Sequence, residues 1–477
     1  MLSKKFISIV SSLLAATSLI LSASAAASTK TFGTSVTLFN AGTSTANVAM
    51  SYLLDNGSTW TAAPGNTNFT IPANAKANII QWSDGTLTSG KGSAVASSDQ
   101  ELLSIVQVQE NVGQTATRGS YIGKSSGATT IYFPLAQKRR SGVSGEMNSI
   151  IVIQNLGTSN ATIEIDLIKS AASPGSNFTK TGITIAPNVS YYYDLTEESD
   201  TNLVLNWTGA AVVRSTNSQP ITAVTNMFLG TNQMWTFNGY YANELSTTWY
   251  VPTFASRRTN GFSTPVTIQN LSGSTIASGA ISMNCIGDGV ADFSISSTAS
   301  VDNNQSIGFN PINNMNIPTN WAGACTITAP GNVAVLSQLR FDLPSVVSAI
   351  EEQGAGYKPA PGSLAGTKVV FPTIIKQVGG YATVATIMNI GASSADVTIT
   401  YTPTSGSPVV VNTTIPAGGR LQLNQSNSSD ANIPVGWTGS LTAVSTNGQN
   451  LYGYLQIKDT TSAAGDTMMA NEVFTLP

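Results

Sequence analysis

Three landmarks return along this 477-residue chain at nearly constant distance, and that internal repeat limits the fold more than any other feature. The first is a strand-like run ending in an Asn turn: Leu38-Phe39-Asn40-Ala41-Gly42, Ile153-Gln154-Asn155-Leu156-Gly157, Ile268-Gln269-Asn270-Leu271 and Ile387-Met388-Asn389-Ile390-Gly391. Asn40, Asn155, Asn270 and Asn389 lie 115, 115 and 119 positions apart. Asn and Gly suit a turn because both tolerate positive φ and the Asn side chain bonds nearby backbone. The second landmark is Trp-x-Gly before an apolar strand: Trp207-Thr208-Gly209, Trp321-Ala322-Gly323 and Trp437-Thr438-Gly439. The first repeat keeps Gly92 before Ser93-Ala94-Val95-Ala96 but has no tryptophan two residues earlier. A large aromatic at this place plugs the open end of a sandwich; stacking on a ligand is the lesser alternative.

The third landmark is an apolar strand closed by proline: Ile131-Tyr132-Phe133-Pro134, Trp249-Tyr250-Val251-Pro252, Val369-Val370-Phe371-Pro372, and the terminal Val473-Phe474-Thr475-Leu476-Pro477. Proline donates no ladder hydrogen bond, so it marks a strand end or an edge. Lys138-Arg139-Arg140, Arg257-Arg258 and Lys376 follow the first three and are expected on solvated turns, with a binding patch as the minor alternative. Between landmarks, Thr162 to Leu167 and Asp396 to Tyr401 alternate at period two, and Asp55-Asn56-Gly57, Asp84-Gly85 and Asp288-Gly289 mark turns. Seven or eight short strands per repeat describe a β-sandwich. Ser345 to Gln353 is the one candidate short helix, so helix should stay below about 10%.

The chain starts with an export signal: Lys4 and Lys5, an apolar run from Phe6 to Leu21, and small residues Ala23-Ser24-Ala25 before a cleavage point near Ala26. A retained membrane anchor is the weaker reading, because serines and a threonine interrupt the run. Loss of Lys4 and Lys5 takes the formal charge from -3 to -5, which argues against nucleic acid or an anionic membrane surface as partner. Only 9% of residues are charged, against roughly 25% in ordinary soluble proteins. Since 41% are apolar and alternate regularly, the chain builds ordered cores with neutral surfaces. The two cysteines, Cys285 and Cys325, fall in the third repeat; export permits a bridge between them, and two buried thiols are the alternative.

Taken together, aliphatic-Pro, a basic pair, Gln-Asn-x-Gly and Trp-x-Gly before a strand resemble the tandem immunoglobulin-like repeats of uncharacterised secreted bacterial surface proteins. The resemblance covers nearly the whole chain after the leader and carries no catalytic motif. The expected organisation is all-β: an export signal at 1–25, then four tandem immunoglobulin-like β-sandwich modules in a linear array. Those modules are 26–127 (lacking a leading strand), 128–246, 247–362 with Cys285 and Cys325, and 363–466, before a C-terminal strand at 467–477.

Chemistry is conspicuous by its absence. With no histidine, the chain has no His-containing triad, His acid–base catalysis, His metal site or c-type haem attachment. Zinc or iron–sulfur spacing, a phosphate loop, a dinucleotide fingerprint and a nucleophile elbow are also missing. Glu197, Glu198, Glu351 and Glu352 are the carboxylates that could act as a pair, and they fall in turns or linkers. Asp194 to Asp200 offers oxygen for calcium without EF-hand spacing. Asn68, Asn177 and Asn206 head glycosylation sequons that reflect composition, and Tyr191-Tyr192-Tyr193 and Tyr240-Tyr241 could stack on sugars or pack internally.

The expectation is therefore a non-enzymatic protein with no catalytic residue, cofactor or metal. It is secreted to the cell surface or extracellular space, and its partner is itself, in a filament, sheath or surface layer. A stalk or adhesin presenting a face to protein or cell-surface glycan is the alternative. The first repeat has no room before Asn40 for a leading strand, whereas Val473, Phe474, Thr475, Leu476 and Pro477 repeat that strand with no module after it. Head-to-tail donation of this strand would complete the first module of the next copy. The competing reading pairs each Pro-terminated strand with the module before it and leaves nothing to donate.

Overall fold

The computed structural model describes residues 5–9 and 32–476, apart from 74, 111–116, 143–144, 231–232, 342–352, 365, 404–405, 427–429, 431, 460–465 and 467. Among them the chain is all-β, with antiparallel sheets, no α-helix, and short 3-10 turns at Pro64–Asn66, Gln81–Ser83 and Ala242–Glu244. The candidate helix at 345–352 lies outside the described residues; Gln353 opens a strand. Two units are formed, one from 1–169 with 173–242, the other from 170–172 with 243–477.

In the first unit, β1 (Lys5–Ile9), β2 (Phe32–Asn40), β3 (Ala46–Leu54), β4 (Asn68–Ile71), β5 (Lys76–Ile80), β6 (Gly92–Ser98), β7 (Leu102–Glu110) and β8 (Arg118–Ile122) make two sheets, β1-β6-β3-β4 and β5-β2-β7-β8. They are followed by β9 (Thr130–Lys138), β10 (Arg140–Ser141), β11 (Glu146–Asn155), β12 (Ala161–Lys169) and β13 (Phe178–Ile185). Then come β14 (Ser190–Asp194), β15 (Trp207–Ser215), β16 (Ile221–Leu229) and β17 (Gln233–Asn238). Their sheets are β13-β12-β15-β9 and β10-β11-β16-β17, with β14 on β11.

The second unit begins with β18 (Ser246–Ser256), β19 (Phe262–Ser263), β20 (Val266–Asn270), β21 (Ser282–Gly287), β22 (Phe293–Ser296) and β23 (Ser306–Phe309). After these come β24 (Trp321–Phe341), β25 (Gln353–Tyr357) and β26 (Ala360–Pro361). Because β24 is long enough to serve two layers, these strands join as one sheet, β22-β21-β24-β18-β26, with β20 and β25 also on β24. The unit ends in β27 (Lys368–Ile375), β28 (Tyr381–Asn389), β29 (Ala395–Pro403), β30 (Val409–Ile415), β31 (Arg420–Asn424), β32 (Thr438–Ser445), β33 (Leu451–Asp459), β34 (Met469–Glu472) and β35 (Phe474–Leu476). Its last two sheets are β30-β29-β32-β27-β35 and β31-β28-β33-β34.

The alternation read from sequence is the alternation of burial. In β12, Ala161, Ile163, Ile165 and Leu167 are buried, and Thr162 between them is exposed. Each landmark asparagine is wholly buried at the end of its strand and makes the same bonds. Asn155 Nδ2 donates to the carbonyls of Ser159 and Ile185, both at 2.8 Å, while its Oδ1 accepts the N–H of Gly157 at 2.8 Å. Asn40 does this with Ser44, Ile71 and Gly42; Asn270 with Ser274, Val301 and Ser272; Asn389 with Ser393, Ile415 and Gly391. One carboxamide thus closes the turn that starts the next strand and ties it to the strand at the far edge.

Trp-x-Gly is a close-approach device. A Cβ at Gly209 would lie 2.1 Å from the Ile168 carbonyl oxygen and 2.8 Å from Cη2 of Trp207, so only glycine lets the indole fold over its own strand. Gly323 and Gly439 are hemmed in alike by Ile286 with Trp321 and by Thr402 with Trp437. In the first repeat the buried indole comes from elsewhere: Trp60 lies over Gly92 and donates Nε1–H to Thr88 at 3.0 Å. No Trp-x-Gly spacing announces it.

The third landmark differs from expectation. The strands do not stop at proline. β9, β18 and β27 continue through Pro134, Pro252 and Pro372, and each register slips there: Gly209 pairs with Ala136 but Ala211 with Phe133. The same slip separates Val251 from Phe254 and Phe371 from Ile374. A bulge residue owes no ladder bond, so the missing N–H costs little. These strands pair forward, with β15, β24 and β32, rather than with the repeat before.

Within each unit successive repeats share a core. Phe32, Val108 and Tyr121 pack with Ile150, Val152, Val224 and Met234. In the other unit the rings of Tyr357 and Tyr454 stack at 4.6 Å, and the buried Arg420 guanidinium meets Asp288 at 2.5 Å and the Pro252 carbonyl at 3.1 Å.

Asp84, read from sequence as a hairpin turn, is a buried acceptor. It takes hydrogen bonds from Ala63 N at 2.9 Å, Asn66 Nδ2 at 2.7 Å, Thr86 N at 3.0 Å and the Thr86 hydroxyl at 2.7 Å. Burial opposes its charge, but the bonds from Asn66, Thr86 and Ala63 outweigh burial and hold the carboxyl well below the usual aspartate range.

Two outcomes follow. Asn155→Ala strands two carbonyls and an amide, and should cost about 2–4 kcal/mol in chemical denaturation, against under about 0.5 kcal/mol for exposed Thr162→Ala. Because Asp84 is depressed in the folded state, its contribution is present above the unfolded value of about 4 and fades as pH falls further. Denaturation midpoints from pH 7 to pH 3 should therefore fall more steeply for the parent chain than for Asp84→Ala.

Candidate functional site

Lys138, Arg257 and Lys376 are turned inward, which corrects the solvated-turn expectation for these three, while Arg139, Arg140 and Arg258 stay half-exposed. Lys138 and Lys376 are buried. Lys138 Nζ donates to the Glu198 carbonyl; Lys376 Nζ donates to the carbonyls of Asp430 and, at 2.8 Å, Ile433. Arg257 reaches the carbonyls of Pro311 at 2.5 Å, Asn314 at 3.0 Å and Ile317. Each cation fastens the loop that leads into Trp207, Trp321 or Trp437, where carbonyl oxygens replace the water lost on burial. Arg139 alone of this set pairs with a carboxylate, Glu146, at 2.8 Å near the surface.

Glu198 and Asp430 are committed in the same way. Glu198 accepts from Lys180 Nζ at 2.9 Å and the Tyr193 hydroxyl at 3.2 Å. Burial pushes its pKa up, while the Lys180 ammonium and the Asp200 N–H pull it down further, so the group stays ionised below its ordinary range. Asp430 accepts from the Tyr401 hydroxyl at 2.7 Å and from Gln425 Nε2. Glu197 is exposed on a turn, and Glu351 and Glu352 lie outside the described residues. In the calcium candidate, Asp194 Oδ1 takes the Thr196 N–H and hydroxyl, and Asp200 Oδ1 takes Asn202. Among the described residues no group of three or more Cys, Asp or Glu is placed to hold a metal ion.

Of the aromatic candidates, Tyr192, Tyr193, Tyr240 and Tyr241 are packed or bonded internally, and Tyr191 is half-buried. The Tyr192 hydroxyl donates to the Gly92 carbonyl at 2.6 Å and accepts the Gly92 N–H at 3.1 Å. Tyr193 and Tyr240 are buried, and Tyr241 bonds Ser126 and Thr222 at 3.0 Å. Among the sequon asparagines, Asn177 accepts from Lys169 N and Asn206 from Ser141 N, while Asn68 is exposed on β4. Trp207 and Trp321 are buried with Nε1–H bonded to Ser176 and Ala291, and Trp437 is half-buried, its ring edge-on to Tyr401. Cys285 and Cys325 face each other across β21 and β24 and are joined by a disulfide, with Cα atoms 4.0 Å apart.

What remains is a sheet edge. β6 holds the place in its sheet that β15, β24 and β32 hold in theirs, and the strand beside it is β1, drawn from the segment read as an export leader. Ile9 pairs with Ala94 and Ile7 with Ala96. The terminal segment is also placed differently from the sequence reading. β35 lies on the outer edge of β27, Phe474 opposite Val370 and Leu476 opposite Lys368. This is where β26 meets β18, so Phe474–Leu476 fills the place of Ala360–Pro361 rather than that of a leading strand. Val473 is buried, Phe474 and Thr475 are half-buried, Leu476 is exposed, and Pro477 lies outside the described residues. No described helix is long and apolar enough to cross a membrane.

Comparison with known proteins adds little. No family model and no curated protein matches the chain. Among solved structures it is similar to Thermotoga maritima 1070, at 22% identity over 23% of this chain and 95% of that one, with a TM-score of 0.20. It is similar to the Anabaena sensory rhodopsin transducer at 21% identity, over 19% of this chain and 89% of that one, TM-score 0.16. A tetra-tandem repeat from the extending region of a large adhesion protein aligns with 94% of this chain and 95% of its own, at 12% identity and a TM-score of 0.11. At such TM-scores these likenesses carry no argument.

Proposed function

We propose that the chain is a non-catalytic, exported structural protein of four tandem immunoglobulin-like modules that associates with further copies of itself outside the cell. The observation that carries this reading is the edge of β6. A wholly buried asparagine ends a strand at Asn40, Asn155, Asn270 and Asn389, and the strand flanking β6 comes from residues 5–9, which also have the composition of a removable leader. Loss of the leader would leave β6 a bare edge, and a bare edge pairs with another strand unless something covers it. Pairing between unlike surfaces of identical copies propagates into a filament or layer rather than closing as a dimer. The second reading, a stalk presenting a glycan- or protein-binding face, finds less support because Tyr192, Tyr241, Trp207 and Trp321 are spent on internal bonds.

The test is to collect the chain exported by a bacterial host and examine it by sedimentation and negative-stain microscopy. Short filaments or concentration-dependent oligomers that lack residues 1–25 are the expected result. Monomers at every concentration would overturn self-association.

A further inference from the structure

The registers beside the bulges define what the β6 edge accepts. In β9, β18 and β27 the residues three and one before the proline are buried: Ile131 and Phe133, Trp249 and Val251, Val369 and Phe371. They stand opposite Val213 and Ala211, Ile327 and Cys325, and Ala443 and Leu441. These partners are the positions four and two after the landmark glycine. Counted from Gly92, the same positions are Ala96 and Ala94, both wholly buried. They are opposed by Ile7 and Ile9, so β1 lies in the register of a leading strand. No other repeat has alanine at both positions, which leaves room for two large inward side chains. Tyr192 caps the end of the edge by taking both main-chain groups of Gly92, so the open ladder runs onward from Ser93.

We propose that this edge is a strand-acceptor site and that its occupant, once Lys5–Ile9 is gone, is Phe474-Thr475-Leu476 of a second copy. Leu476 would stand opposite Ala94 and Phe474 opposite Ala96. This rests on the self-association reading above and names the segment and register. The segment has the required spacing, with large apolar residues three and one before Pro477. On β27 it is held by three residue pairs at an outer edge, where Phe474 is half-buried and Leu476 is 39% exposed. Moving to β6 would put both side chains over the core that Ala94 and Ala96 line, while the main chain adds a ladder of hydrogen bonds. Leader and donor require the same edge, so leader removal licenses assembly.

Residues directly opposite on neighbouring strands are close enough for a disulfide, as the native Cys285–Cys325 pair demonstrates, and that bond leaves no other thiol to compete. Two exported full chains would be prepared, Ala94→Cys and Leu476→Cys, each confirmed by circular dichroism to be folded, then mixed under mild oxidation. A linked dimer on a non-reducing gel is expected. The link should be lost when Thr475→Cys, facing the other way, replaces Leu476→Cys, or when the Ala94→Cys chain keeps its leader. Assembly without this link, or an equal link from Thr475→Cys, would sink the register while sparing self-association. Absence of any assembly would remove both.

Discussion

A carboxamide with no exposed surface stands at the end of β2, β11, β20 and β28, and the packing of each repeat is set from it. Turn closure and cross-sheet tethering usually need separate residues. Here one side chain donates to both the turn and the far edge strand, and accepts a turn N–H in return. The bonds are short, internal and saturated, so leaving any partner unmet in a dry core is costly. Because the Asn position fixes the phase of the following strand, it decides which side chains of that strand face inward. Ala161, Ile163, Ile165 and Leu167 form a core stripe only while that phase holds.

The other landmarks depend on the sandwich thus defined. An indole folded over a glycine brings β15 close to β12, and a proline bulge lets the leading strand bend beside it without a wasted donor. Buried lysines then draw in the loop between, bonding carbonyls in place of water. The third repeat differs in two ways: an arginine replaces lysine in fastening the loop, and a disulfide crosses the sheet. The first differs most, since Trp60 replaces the missing indole and residues 5–9 supply the flanking strand. Substitution by long-range partners, with the local scheme kept, is what a repeat under a common packing constraint permits.

Much of this was legible in the sequence because it is local. The Asn turns, the period-two strands and the Trp-x-Gly spacing each rest on neighbours within a few residues. What is not local is set by long-range contacts that no short stretch of sequence displays. Pro134 ends a strand by propensity alone, and only pairing with β15 turns it into a bulge. Lys138 resembles a surface residue until the loop holding Glu198 closes over it. Trp60 was detectable only indirectly, through a Gly92 with no tryptophan of its own. Phe474-Thr475-Leu476-Pro477 matches the leading-strand spacing, yet the chain lays it on the outside of β27, because a short apolar strand satisfies any free edge it can reach.

Whether the first repeat depends on a strand from outside its own core sequence is read out by amide hydrogen exchange in β6. In dilute exported protein without its leader, the amides of Ala94 to Ser98 that face the vacated edge should exchange much faster than their counterparts in β15 and β32. They should slow on concentration. Protection equal to that of β15 and β32 in the dilute monomer would contradict the account, because the edge would then be covered by the chain itself.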